Sequence, residues 1–560
     1  MPFRSAAVAA FLSLAACGGG GSPGITVTVS PATTAVAVGE TAQFTASVAG
    51  STDASVTWSV AEGTAGGTVS TTGLYTAPPL PGSFHVVATS VADGSRKGTA
   101  AVSVLAAPAC TPPVPQPTAL PAAQVLQLGV HTVGKTVTFT VPGSTGSVTI
   151  LQQGAEPLAA QTVNYQGTPI DNNVVPLTVK VGATTFYDDN VIPPDDPANW
   201  NGTNGPNGIG AIYFGTLAPW TGTMTVPNTT NMLEYVTDHG GVPAGTWSVV
   251  VNDYAEECRV IGRPDCVIGD GVSKYPPGRY DVKVLLKPGA VPATGTLDVR
   301  FYLVADTLTA ATAPADPSVV RMSQTLGTLL AGAGLALGNV SFADVSPTVK
   351  ARFAAGVNAD EYGPCSEIAT ILQLAGAGNV MNLFLVSQFN STQPGTGIIV
   401  GIDGTIPGPA TAGGTVASGA LVSVQDLSGG GTSACQGAVS LAGCPADRTA
   451  YIAAHETGHF LGLYHDTESF GTLFDPIRDT RTCLCSACAP AAEKVNCYTG
   501  GAVTSTTYDM TTIDCTRYPT DPTSVCGGGE NLMFWLLGSR STGAVTPQQS
   551  SIIRATALVR

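Results

Sequence analysis

His455-Glu456-Thr457-Gly458-His459-Phe460-Leu461-Gly462-Leu463-Tyr464-His465-Asp466 is the stretch on which the reading of this chain turns. It spells HExxHxxGxxHD. Histidines at i and i+4 stand one turn apart on one helix face, so both imidazoles reach a single metal ion. Glu456 is rotated off that face by about 100°, which places its carboxylate beside a metal-bound water and not on the metal. That is where a general base belongs. Gly462 tolerates the left-handed backbone that ends a helix and lets the chain turn, so that His465 supplies a third ligand. Three protein ligands leave a fourth position open, the mark of catalytic zinc; a structural zinc site would be closed. Chance is a poor alternative, because the chain has only six histidines and three of them fall within residues 455–465. His85, His131 and His239 lack such company and read as ordinary strand or loop residues.

Working outward, the motif should lie on a helix over Arg448 to Leu463, preceded by an α/β pattern. A strand is expected over Leu297 to Val304 and a helical stretch over Pro317 to Leu337. Further strands are expected near Val340 to Phe342, Asn382 to Val386, Gly397 to Ile402 and Ala417 to Val424. Downstream, Asn531-Leu532-Met533-Phe534-Trp535 forms a second signature.

Together these stretches resemble the metzincin clan of zinc endopeptidases, and within it pappalysin-like enzymes. Asp475 to Thr480, Cys483 and the Thr546-Pro547-Gln548-Gln549 start of a final helix add to the likeness, which spans residues 293 to 560. The resemblance implies that Met533 forms an apolar Met-turn beneath the imidazoles without ligating, that His455, His459 and His465 bind one zinc ion, and that Glu456 is the general base. Two departures stand out. Position 535 is Trp, so the tyrosine that some clan members use as an extra ligand is missing, and no cysteine-switch motif is present.

Residues 25 to 106 alternate apolar and polar with period two. Ile25-Thr26-Val27-Thr28-Val29 does so, Phe44, Ala46 and Val48 share a face, and Val56-Thr57-Trp58-Ser59-Val60 and Phe84-His85-Val86-Val87-Ala88 follow. The segment resembles bacterial immunoglobulin-like repeats, which implies a sandwich acting as a spacer or adhesive unit. A Pro-rich linker covers 107–124. From 125 to 292 strand signals continue without helical period, as in Thr136 to Val141 and Thr246 to Val251, and predict a second, accessory sandwich. Its Asp188, Asp189, Asp195, Asp196, Asn199, Asn201 and Asn204 offer the oxygens that calcium prefers, but their spacing fits no known calcium loop and a solvated polar turn is the preferred explanation.

Composition sets the compartment. Asp plus Glu number 38 against 23 for Lys plus Arg, a net charge of −15 that repels phosphate backbones and argues against nucleic acid as partner. Arg4 and the apolar run Ala6 to Ala16 read as a signal peptide, too short to span a bilayer. Leu14-Ala15-Ala16-Cys17 resembles a bacterial lipobox, implying a lipid on Cys17 with residues 18–24 as tether. Removing Cys17 from the thirteen cysteines leaves an even number, and in an exported chain disulfides are the default. Cys258/Cys266 and Cys435/Cys444 suit local bridges. Cys483, Cys485, Cys488, Cys497, Cys515 and Cys526 suggest either staples or a second zinc site.

The expectation is therefore a multidomain chain, two all-β sandwiches followed by an α/β (α+β) metzincin-like zinc protease domain. It would be exported, lipid-anchored at the bacterial envelope or surface, and act on a protein or peptide substrate. A surface adhesion protein with an inactive protease domain, or hydrolysis of a non-peptide bond, are the competing expectations.

Overall fold

The computed structural model describes residues 24–560 apart from 38–40, 79–81, 106–115, 118, 156–161, 166–167, 172, 190–211, 214–219, 255–265, 269–277, 306, 361–365, 392–397, 430–434, 436, 500–503, 505, 517–525 and 538–542. The signal sequence with Cys17, the cysteines at 110, 258 and 365, and five residues of the calcium-loop expectation (195, 196, 199, 201 and 204) lie outside the described residues. The chain forms two compact units, Met1–Cys110 and Thr111–Arg560.

In the first unit, alternation becomes sheet. Val56–Val60, Gly82–Ser90, Lys97–Leu105 and Thr33–Ala37 form one four-stranded sheet, in which the last pair is parallel and the others antiparallel. Thr26–Ser30 pairs with Thr45–Ala49, and Thr41–Gln43, Leu74–Thr76 and Thr68–Val69 make a third small sheet. Phe44, Tyr75, Val86, Ala88, Ala100 and Val102 form the core between them. Tyr75 keeps its hydroxyl satisfied by donating to the Gly66 carbonyl at 2.6 Å, as a buried tyrosine requires.

The second unit begins with a sandwich-like pair of four-stranded antiparallel sheets. One runs Gln124–Thr132, Arg279–Pro288, Thr145–Gly154, Thr221–Val226; the other runs Thr136–Val141, Gly245–Val250, Thr178–Val181, Thr184–Asp188. Trp247, fully buried, stacks on Phe186 and leans on Phe139 at centroid distances of 6.2 and 6.1 Å. The expectation of no helix between 125 and 292 is corrected by Thr230–His239. Its apolar residues Met232, Leu233 and Val236 make barely two turns, too short for periodicity to register. It is fixed instead by the Thr229 side chain, which accepts from the Met232 N–H, and by Gly240 in the left-handed region at φ 71°.

Beyond Pro288 the period changes to α/β. Leu335–Asp344, Gly295–Leu303, Met381–Val386, Ala420–Ser423 and Gly401–Asp403 form a five-stranded sheet in that order, parallel except for the antiparallel edge strand Gly401–Asp403. Helix Pro317–Gly332 connects the first two parallel strands. It starts where Asp316 caps the N–H groups of Ser318 and Val319, and ends five residues short of the expected Leu337, because Gly334 turns at φ 74° and Leu335 already pairs as strand. The motif helix is Pro445–Phe460, shifted by three residues from the expectation, with Cys444 as cap and Pro445 in its first turn. It is buried on nearly every face, against helix Pro317–Gly332 and the strands at 401–403 and 420–423. A final helix, Pro547–Ala555, begins with a capping box between Thr546 and Gln549.

Candidate metal centre

The motif helix is held from its first turn. Asp447, fully buried, accepts both Arg321 Nε (2.7 Å) and Nη2 (2.8 Å), the Thr325 hydroxyl and the Ser440 N–H. Burial disfavours its charge, but the hydrogen bond from Arg321 and the others outweigh this and hold its carboxyl below the usual range. The helix thus cannot slide along the sheet without breaking a buried bidentate pair.

One turn from its end, the three predicted ligands meet. The Nε2 atoms of His455 and His459 are 3.1 Å apart, and each lies 3.2 Å from His465 Nε2. Among the described residues these histidines are the group whose ligand atoms cluster closely enough to hold a metal. Gly462, at φ 103°, supplies the turn that brings His465 back. The other ring nitrogens settle what the Nε2 atoms are. His455 Nδ1 donates to the Leu532 carbonyl at 2.7 Å, His459 Nδ1 to the Leu463 carbonyl at 2.7 Å, and His465 Nδ1 to Glu468 Oε2 at 3.0 Å. With the proton on Nδ1 in each ring, the three Nε2 atoms present lone pairs to one another, so their short contacts are not hydrogen bonds. Three converging lone pairs make a donor set that could hold a cation. Their spacing is close to the roughly 3.3 Å between nitrogens about 2.05 Å from a tetrahedral zinc, so the donor set fits that ion. His459 is also kept neutral: burial above all lowers its pKa to about 3.

Glu456 sits beside this cluster and is itself buried, which raises its pKa to about 8. Its carboxylate lies against the edge strand, where a Cβ at Gly401 would come within 2.2 Å of Oε1, so a larger residue there would have to displace the Glu456 side chain. Two residues on, Asp403 shares that face of the strand. Burial and then the Glu456 charge push its carboxyl well above the usual range. Asp403 Oδ2 accepts the Thr405 N–H at 3.1 Å. Sequence reading missed Asp403, which lies more than fifty positions before the motif.

Met533 is fully buried, and its sulfur would lie 2.5 Å from a Cβ at Gly458, so it packs directly against the helix turn between the first two histidines. Its turn is braced from behind. Asn531 Oδ1 accepts the Met533 N–H, and the side-chain amides of Asn531 and Gln549 exchange hydrogen bonds at 2.9 and 3.2 Å. Leu532 carries the carbonyl that orients His455 and also accepts the Tyr451 hydroxyl. Asn531 and Gln549 lie in stretches the sequence marked without assigning them this role, whereas Tyr451 and Glu468 went unmarked; Glu468, three positions after His465, could have been found from that spacing. Trp535 donates its indole N–H to the Met510 carbonyl.

The cysteines after the motif are paired. Cys483–Cys515, Cys485–Cys497 and Cys488–Cys526 staple the segment between helix and Met533 turn, and Cys435–Cys444 ties down the start of the motif helix. These pairings answer the alternative of a second zinc site. Of the calcium-loop expectation, Asp189 is used within the protein, accepting the Tyr187 hydroxyl at 2.6 Å.

Comparison with known proteins bears on the first unit. Residues 25–105 match the bacterial Ig-like domain (group 2) family, so the Ig-like reading of that segment holds. Among curated proteins, none matches the chain. One similar solved structure comes from work on the promiscuous specificity of carbohydrate-binding modules of the β-sandwich superfamily. It is 13% identical, with 48% of this chain and 98% of that one covered and a TM-score of 0.13.

Proposed function

We propose that this chain is an exported zinc endopeptidase, in which His455, His459 and His465 hold the metal and Glu456 is the general base. The observation that carries the proposal is the convergence of three Nε2 lone pairs beside a buried carboxyl that follows the first ligand by one residue. Zinc bound to such a set supplies Lewis acidity and lowers the pKa of water at its open position. The residues do the rest. Leu532, Leu463 and Glu468 hold the imidazoles in one tautomer, and Met533 gives them an apolar floor. A carboxyl whose proton affinity lies near neutrality takes a proton from water and returns it to a leaving amine.

The edge strand Gly401–Asp403 supports a peptide as the substrate. It ends the sheet, so an extended chain adds to it as a further strand, and Gly401 brings that strand directly against Glu456. Export with a lipid on Cys17 follows from the N-terminal sequence and agrees with an Ig-like domain at residues 25–105. That same domain favours a second reading, surface adhesion with the metal centre inactive. Zinc content and cleavage of a mixed peptide library, compared between wild type and Glu456→Ala, separate the two. Zinc in both with cleavage by wild type alone establishes the peptidase; zinc in both with cleavage by neither supports adhesion, and no zinc overturns the site.

A further inference from the structure

The accessory sandwich reaches into the metal loop. Ile212, buried, donates its N–H to the Phe186 carbonyl at 3.0 Å, tying it to the edge of the sandwich sheet that ends in Thr184–Asp188. Tyr213, next in sequence, is gripped on both backbone groups by one side chain. Its N–H donates to Asn228 Oδ1 at 3.1 Å, and its carbonyl accepts from Asn228 Nδ2 at 2.6 Å. Asn228 lies two residues after the end of the sandwich strand Thr221–Val226 and is itself buried. Held in this way, the Tyr213 ring meets the ring of Tyr464 edge to face, with centroids 4.7 Å apart and planes at 89°.

Tyr464 is the residue immediately before the third ligand. Its hydroxyl donates to the Ile406 carbonyl at 3.3 Å, in the segment that follows the edge strand. The ring is therefore pinned from two sides, by the strap at 406 and by the sandwich at 213. Gly462 and Leu463 leave the helix through a turn whose N–H groups bond to the His459 and Gly458 carbonyls, and the Asp466 N–H bonds to the Met533 carbonyl at 3.2 Å, so Tyr464 and His465 span the stretch between two backbone anchors. In such a loop, a side chain held at its far end fixes the backbone that carries His465.

We propose that Tyr213 is a positioning residue for His465, so that the sandwich is a structural component of the metal centre and not a spacer beside it. This rests on the metal-centre reading, and the test keeps the two apart. The full chain is loaded with Co2+, its affinity is measured by competition with a chromogenic chelator, and its visible absorption is recorded. The variants compared are wild type, Tyr213→Phe, Tyr213→Ala and Tyr213→Met. Phe keeps the ring edge and should behave as wild type. Ala should weaken Co2+ binding about three- to tenfold, the range that one aromatic pair contributes, and should alter the absorption band as the third ligand loosens. Met fills most of the volume without a ring and covers the case in which Ala fails to fold; it should resemble Ala. A residue that only stabilises the fold would lower the melting temperature and leave the cobalt spectrum unchanged, and that result in Met overturns the proposal. Wild type that binds no Co2+ overturns the metal-centre reading itself, and this proposal with it.

Discussion

Replacing Glu456 by Gln should change how the metal-free protein responds to pH, with a sign and size set by the site. In the folded chain burial raises the Glu456 pKa to about 8, against an ordinary value of 4.5. A carboxyl with a raised folded pKa keeps its proton in the native state while the unfolded chain has lost it. Stability is therefore greatest below about 4.5 and falls as pH rises toward about 8. At about 1.4 kcal/mol for each tenfold change in proton affinity, the full difference amounts to roughly 4–5 kcal/mol, of which about 3 kcal/mol lies between pH 5.5 and 8.5. Glutamine has nothing to ionise. His459, Asp475 and the burial of Asp403 are common to both proteins and cancel in the comparison. The assay is urea unfolding in chelator at those two pH values, followed by hydrogen exchange in peptides covering residues 445–460, which separates this unit from the Ig-like domain. Wild type should lose about 3 kcal/mol more than Glu456→Gln on going to pH 8.5. Equal losses would refute the claim that Glu456 is desolvated, and with it the reason for its suitability as a base. Adding zinc should remove most of the difference, since a bound cation stabilises the ionised carboxylate that burial penalises.

Other side chains make separate predictions. Arg321→Met should destabilise the second unit by about 3–5 kcal/mol in denaturant titration, because it strands the buried Asp447 carboxylate at the start of the motif helix. Lys287→Met should cost about 2–4 kcal/mol by the same measurement: Nζ donates to the carbonyls of Arg554, Thr556 and Val559, and methionine leaves all three without it. Asn531→Ala should weaken zinc binding about tenfold in a chelator competition with little change in the Ig-like unit, because it frees the turn whose Leu532 carbonyl orients His455.

What sequence could show depended on range. Val56–Val60 and Thr136–Val141 coincide with the strands read from alternation, since a face pattern is a local property. The clustering of the three histidines was legible for the same reason: they lie within eleven positions, and helix geometry with the turn at Gly462 converts that spacing into proximity. Their partners were not. Two of the three Nδ1 acceptors are backbone carbonyls, at Leu463 and Leu532, and a carbonyl has no residue type to recognise. Asp403 reaches Glu456 only because sheet order places its strand at the edge beside the motif helix, and no periodicity encodes that order. The pairing of Cys483, Cys485, Cys488, Cys497, Cys515 and Cys526 was likewise open, since six cysteines allow fifteen connectivities.

The change of pattern near residue 292 shows a second difference between what sequence marks and what folds together. Period two gives way to α/β there, yet residues 111–560 form one compact unit. The chain closes on itself across that point. Arg554 Nε donates to the Pro292 carbonyl at 2.8 Å, the N–H of Thr296 donates to the carbonyl of Arg560, and Lys287 clasps the end of the final helix. Thr230, at the start of the helix that follows the sandwich strand, accepts the Arg478 N–H and donates to Gln548. Gln549, next along, braces Asn531 and so the turn under the imidazoles. A perturbation in the sandwich therefore has two routes to the histidine cluster, through Tyr213 to His465 and through Thr230 and the final helix to His455. Both run through single polar or aromatic contacts, each of about 1 kcal/mol. Disturbing either alone should shift metal affinity without unfolding the site, and disturbing both should add, since they end on different histidines.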